Sequence, residues 1–310
     1  MLVATLLLLA VAALAPARLS AHAQQHSRTA RPSPPAAAAA RVEPSPSEHT
    51  VTIGGELPGG LAPGACVAFD PTGVDQHRTV FVDPGHGGPD PGAVGGQVAE
   101  KTLTLAVALQ LKDMLRADGF RVVLSRTSDS LVAALAPAQV QQGAVTNSGV
   151  HLDTVARILC ANAARADVMV SIHFNAFDDP SVGGAETFYD DARTFAAGNL
   201  RLAGLVQAGL LASYRRTGWT VEDRGVVSDA ATGSTGLTAT ADAYGRLLEL
   251  GPPSQGWNDN PSAMPGVLVE PFFVTDPVEA EVASQLDGRK AIAAGIEQGI
   301  IGFLIGGASG

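Results

Sequence analysis

From residue 78 onward, short apolar runs alternate with segments of helical period, and this alternation constrains the fold more than any other feature. Thr79-Val80-Phe81-Val82, Val122-Val123-Leu124, Val168-Met169-Val170-Ser171-Ile172 and Val267-Leu268-Val269 are short and almost free of charge. Such runs, bounded by turn residues, read as buried strands. Between them Leu103, Val107, Leu111 and Leu115 recur at four-residue steps, which predicts a helix over 100–118 stopped by Gly119. Further helices are expected over 154–165, 200–214 and 289–304, and a strand over 185–189. Strands alternating with helices imply an α/β fold: a single domain with a mostly parallel twisted sheet covered by helices on both faces. Two connections, 131–150 and 228–265, are long for such a fold and are candidates for a lid.

Three strand ends carry chemistry. The first breaks into Asp83-Pro84-Gly85-His86-Gly87-Gly88, the second ends on His173 and the last on Glu270. In open α/β sheets, ligands gather beyond the carboxyl ends of the strands. Two imidazoles with Glu100, at the opening of the first helix, match the donor set of a catalytic zinc, which takes three protein ligands and keeps one position open. The glycines around His86 permit close approach to such a centre. Glu270 follows an apolar triplet, and a partly dry carboxyl has the raised pKa suited to proton transfer. Each signal alone has a plainer reading: a histidine at a strand end is commonly a packed residue, and a glutamate at a helix start a dipole-compatible charge. His77 and His151 end no apolar strand and are weaker ligand candidates; Glu249, after Leu247-Leu248, could compete as a carboxylate but reads more readily as a surface residue, and Arg126 and Arg157 read as structural ion-pair formers rather than substrate contacts. Asp83 either orients a ligand histidine or braces the turn, and Asn175 either binds substrate or caps its strand. The spacing Gly85-x-Gly87-Gly88 lacks the third glycine of a dinucleotide fingerprint.

Thirty acidic against 20 basic residues give a net charge of −10, which argues against nucleic acid or an anionic membrane as partner. Residues 1–23 read as an export signal: residues 2–15 are apolar apart from Thr5, and Ala21-His22-Ala23 fits a cleavage site. The apolar stretch falls short of the about 20 residues a spanning helix needs, so no transmembrane span is expected after its removal. Residues 24–65 begin as a Pro/Ala-rich flexible tether and end in a segment whose place in the core the sequence leaves open. A catalytic domain is expected over 66–306, in a protein that is secreted, periplasmic or wall-associated. Cys66 and Cys160 are the two cysteines. In an oxidising compartment they suggest a disulfide, with two buried thiols as the alternative.

Taken together, Asp83-Pro84-Gly85-His86-Gly87-Gly88, Glu100-Lys101 opening a Leu-patterned helix, Ser171-Ile172-His173-Phe174-Asn175-Ala176 and Val267-Leu268-Val269-Glu270-Pro271 resemble the zinc-dependent N-acetylmuramoyl-L-alanine amidases, in order, from about residue 78 to 304. The resemblance implies one Zn2+ per chain held by His86, Glu100 and His173, with Glu270 as catalytic acid/base. It implies peptidoglycan as substrate, cut at the amide between the lactyl group of N-acetylmuramic acid and L-alanine of the stem peptide, in wall remodelling or cell separation. A protein activator outside this chain is left open as a further partner. Phe174 replaces a small residue after the second histidine, and Pro271-Phe272-Phe273 replaces a small-Gly-Phe step, so pocket width and stem-peptide preference are expected to differ. Two other readings stay open: a zinc carboxypeptidase or peptidase acting on wall peptides, and a non-catalytic wall-binding regulator on the same scaffold.

Overall fold

Strand polarity and side-chain alternation explain how this chain presents its site. The computed structural model describes residues 48–54, 57–96, 98–231 and 239–306. The export signal and all of the tether up to residue 47 lie outside the described residues. Eight strands form one sheet: β1 (Glu48–Thr50), β2 (Ala65–Phe69), β3 (Thr79–Pro84), β4 (Arg121–Arg126), β5 (Val168–Ile172), β6 (Ala185–Tyr189), β7 (Asp223–Ser228) and β8 (Gly266–Glu270). Their spatial order is β1-β2-β4-β3-β5-β8-β6-β7. The centre is parallel: β4 pairs β3, β3 pairs β5 and β5 pairs β8 in one direction. The three strands that end in His86, His173 and Glu270 are therefore adjacent, with their carboxyl ends on the same edge.

The flanks depart from the parallel pattern. β2 runs antiparallel to β4, and β6 antiparallel to β8. No helix separates β5 from β6 along the chain. A strand that returns without a crossover helix arrives reversed, because parallel neighbours need the longer connection. β1 and β2 extend the sheet at its other edge, so Glu48–Thr50 and Ala65–Phe69 belong to the same layer as the central strands.

Alternate side chains divide the core in two. Val80, Val82, Val122, Leu124, Val168, Val170, Val267 and Val269 meet three helices on one face: α1 (Glu100–Ala117), α3 (Ala196–Thr217) and α6 (Leu286–Leu304). Phe81, Val123, Met169 and Leu268 point to the other face, where α2 (Asn147–Ala163) and residues 250–264 cover them. Two shorter helices complete the chain order, α4 (Ala239–Tyr244) between β7 and β8 and α5 (Pro277–Ser284) before α6. Cys66 of β2 and Cys160 of α2 form a disulfide with a Cα–Cα separation of 5.7 Å, fastening α2 to its face. Among the described residues, no helix is long and apolar enough to cross a membrane.

α2 starts seven residues before the expected position, at Asn147 rather than 154. Its first turn, Asn147-Ser148-Gly149, has the composition of a loop, yet Thr146 caps it by accepting from the Gly149 N–H at 3.2 Å. Most of the long 131–150 connection is thereby tied to α2, through a short hairpin of Val140–Gln141 with Ala144–Val145.

Candidate metal centre and active site

Each side chain at the centre is delivered by a separate element. His86 lies just beyond β3, Glu100 opens α1 and His173 follows β5 directly. One ligand atom from each of the three lies within 4.8 Å of the others. Glu100 Oε1 is 3.1 Å from His86 Nε2 and 2.9 Å from His173 Nδ1. The carboxylate is held by the backbone: Phe174 N–H donates to Oε1 at 2.9 Å and Ala93 N–H to Oε2 at 2.8 Å. The two imidazole rings stand edge to face, 4.9 Å between centroids.

Space and electrostatics fit a cation here. A Cβ on Gly85 would fall 2.4 Å from the His173 ring. One on Gly92, whose φ is +66°, would fall 2.5 Å from Glu100 Oε2 and 2.6 Å from His86 Cδ2. Both positions need glycine for the ligands to converge. Nδ1 of His173 and Nε2 of His86 both face Glu100 Oε1, so a lone pair from each ring and the carboxylate can converge on one cation. Burial opposes charge on both partners but is outweighed. Hydrogen bonds and charge from Asp90 and Glu100 raise the His86 pKa to about 9, and the two histidines hold the Glu100 carboxyl well below the usual carboxylate range. A proton on His86 therefore competes with a metal beside Glu100, and ligation would have to displace it.

His86 adopts a φ of +61°, a costly conformation for a residue with a Cβ. Two buried arginines fix the turn that imposes it. Arg126 donates from Nε to the Pro84 carbonyl at 3.0 Å and from Nη2 to Gly85 at 2.9 Å. From the opposite face Arg157 donates to the carbonyls of Pro84 and His86, at 2.8 Å each. Arg157 is in turn held by Asp83 at 2.7 Å and Asp153 at 2.8 Å. Asp83 also accepts from Ser171 Oγ at 2.8 Å, so it braces the turn. The carboxylate that orients a ligand histidine is Asp90, whose Oδ2 is 2.8 Å from His86 Nδ1. The sequence reading passed over Asp90, although its placement four residues after His86 in a Pro/Gly-rich turn was a usable cue.

Glu270 ends β8, and its Oε2 is buried without a hydrogen-bond partner among the described residues. Burial, with the neighbouring charges of Glu100 and Glu186, holds its carboxyl well above the usual range. Asn175 donates from Nδ2 to Glu186 Oε1 and accepts the Ala176 N–H, which ties the loop after β5 to β6. The Phe174 ring is buried in the main core. It thus reaches the centre through its backbone.

A cavity opens beside the centre, walled by both long connections as well as by His86 and His173. Val145 and Val150 come from one connection, Leu247, Leu248, Glu249 and Trp257 from the other. His151 also lies here, bonded through Nε2 to the Trp257 carbonyl at 2.8 Å and packed on its ring. Glu249, expected at the surface, is instead 9% exposed. It lies between Leu247 and Leu250, which pack into the core on the covered face of the sheet, and burial together with Asp83 raises its pKa.

Comparison with known proteins places this arrangement. Residues 80–302 match the family described as N-acetylmuramoyl-L-alanine amidase, in which zinc dependence is general. The chain is 31% identical over 226 residues to the N-acetylmuramoyl-L-alanine amidase LytC of Bacillus subtilis, a match covering 73% of this chain and 35% of LytC. It is 27% identical to the germination-specific N-acetylmuramoyl-L-alanine amidase of the same organism, over 73% of this chain and 79% of that protein. Among solved structures, the CwlD amidase from Clostridioides difficile in complex with the GerS lipoprotein superposes with a TM-score of 0.56 at 25% identity, covering 73% of this chain and 98% of that one. With the match spanning most of the folded region and three candidate metal ligands brought together within it, the chain belongs to the N-acetylmuramoyl-L-alanine amidase family.

Proposed function

We propose that this protein is a secreted zinc hydrolase that cleaves the amide between the lactyl group of N-acetylmuramic acid and L-alanine of the peptidoglycan stem. The observation that carries the reading is the convergence of His86, Glu100 and His173 within 4.8 Å, with the buried carboxyl of Glu270 near enough to respond to the Glu100 charge. When bound, zinc supplies Lewis acidity that polarises a carbonyl and acidifies water. The remaining chemistry belongs to the side chains. A cation held by His86, Glu100 and His173 would offset the Glu100 charge, one of the causes that raise the Glu270 pKa. Glu270 Oε2 can then take the proton of the attacking water and return it to the departing alanine nitrogen. Asp90 keeps the His86 ring oriented, and Arg126 and Arg157 hold the strained turn that carries it.

Residues 1–23 act in this reading as the export signal, 24–65 as tether and edge segment, and 66–306 as the catalytic domain. Peptidoglycan is the partner, and a protein activator is a further candidate, given that a related amidase was solved in complex with a lipoprotein. Mass spectrometry of a muropeptide digest tests the proposal. Intact stem peptides with a free L-alanine amine are expected. Products cut within the peptide would turn the reading to a peptidase. Glu270→Ala is expected to keep metal and lose turnover, whereas His86→Ala loses both; a Glu270→Ala protein that still turns over would remove the assigned role.

A further inference from the structure

The cavity beside the centre contains more unmet hydrogen-bonding capacity than metal ligation accounts for. Its volume is about 230 Å3. Leu131, Val150, Leu247 and Leu268 line it, with His86 and His173 on the side of the metal centre. Two polar atoms of lining residues, outside the ligand set, are buried and without a partner among the described residues: Oε2 of Glu249 and Nε1 of Trp257. Glu249 is more than nine-tenths buried. Buried polar groups are nearly always satisfied, and leaving one unpaired is destabilising. Two such groups on a single cavity, both beside a catalytic centre, mark contacts that a ligand completes.

Their characters are opposite. An indole N–H can only donate, whereas the unpartnered oxygen of the Glu249 carboxyl can accept. A simple cation would satisfy Glu249 and leave the indole unpaired, and a simple anion would do the reverse. A group presenting an N–H and a carbonyl together, with aliphatic carbon on its flanks for the leucine and valine walls, answers both. That group is an amide.

We propose that Glu249 and Trp257 form an amide-recognising subsite that engages a substrate amide next to the scissile one and so helps determine specificity. The proposal rests on the muropeptide reading above. Two amides adjoin the scissile bond in such a substrate: the acetamido group on the muramic acid ring, and the peptide bond from L-alanine to the next stem residue. Both offer the same chemistry, and the cavity opens directly beside the histidines that would hold the metal.

The test is calorimetric binding of N-acetylmuramoyl-L-alanyl-D-isoglutamine to metal-free full-length protein, where turnover does not interfere. Trp257→Phe removes the N–H while keeping a ring to pack on His151, and its thermal midpoint checks that folding is retained. It is expected to weaken binding about tenfold, the usual consequence of losing one buried hydrogen bond to a ligand. Glu249→Leu is expected to do likewise, and Trp257→Phe carries the test should that variant not fold. Two analogues identify the source: one lacking the acetamido group, the other N-methylated at the alanyl–isoglutamyl bond. Wild type and Trp257→Phe should bind alike the analogue that lacks the engaged amide, and differ on the other. Equal binding of the parent ligand by wild type and Trp257→Phe overturns the subsite, as does a difference that survives in both analogues, or a wild type that shows no binding at millimolar ligand. Failure of the zinc-loaded wild type to cleave muropeptides, with discriminating binding retained, would sink the hydrolase reading and leave the subsite standing.

Discussion

His86 is held from three sides, and each support has a separable consequence. Asp90 accepts on Nδ1, so Asp90→Asn weakens that hydrogen bond and the ring orientation it sets. Such partners typically contribute about 10–100-fold to metal affinity, and zinc affinity measured by chelator competition is expected to fall by that order with the fold retained. An unchanged affinity would mean that Asp90 only closes the turn. Arg157 is the sharper case. Arg157→Met would leave Asp83 and Asp153 buried without their cation and the His86 carbonyl without its donor. Breaking a buried pair in this way costs about 3–5 kcal/mol, readable by denaturant unfolding. The three side chains that converge, His86, Glu100 and His173, were legible as candidates in the sequence because each stands where a strand ends or a helix begins. The burial of Glu249 and the grip of the two arginines on the turn carbonyls were not, although the structural ion pairs that Arg157 makes with Asp83 and Asp153 are what its sequence context suggests. Both depend on which elements pack over a residue, and a local window shows only that Glu249 is charged.

At the scale of elements, α3 and α6 approach until their backbones touch. A Cβ on Gly295 would meet Leu210 Cα at 2.6 Å, and nothing flexible can yield there. Gly295→Ala is therefore expected to destabilise by about 1–3 kcal/mol, the range for overpacking a close-packed core, despite alanine being the better helix former. A stabilised variant, by thermal or denaturant unfolding, would contradict the observed helix packing. The central strands could be read from sequence because strands covered on both faces are apolar throughout, as Val80-Phe81-Val82 is. β7 could not: Asp223-Arg224-Gly225 interrupts it, and only Val226 and Val227 mark its second half. The reversal of β6 also escaped, since polarity follows from the missing crossover helix and leaves no trace in the strand itself.

For the whole molecule, two features set how stability responds to conditions. The Cys66–Cys160 bridge closes a separation of 94 residues, and a loop of this size is expected to contribute about 4 kcal/mol, to be lost on reduction or in a Cys160→Ala variant. The second feature is a set of carboxyls with raised pKa values. Burial, then the hydrogen bond and charge of Asp118, lift Glu297 to about 7, and burial lifts Glu279 to about 7 as well. A folded-state pKa above the unfolded value adds stability that is complete below about pH 4.5 and is lost as pH rises through about 7. The melting temperature is accordingly expected to fall between pH 5 and 8. Glu297→Gln should flatten part of that slope and raise Tm at pH 8 by about 2 °C, discounted because the site is half exposed. A Tm that climbs over the same interval, or a variant with the wild-type slope, would contradict this assignment.

The proposed activity depends on a single divalent ion shared by side chains from three elements. A crystal of zinc-loaded protein measured at the zinc absorption edge tests this most directly. The account predicts one anomalous peak with His86, Glu100 and His173 each at about 2.0–2.2 Å. A peak at other residues, or none between these three in fully loaded protein, would contradict it.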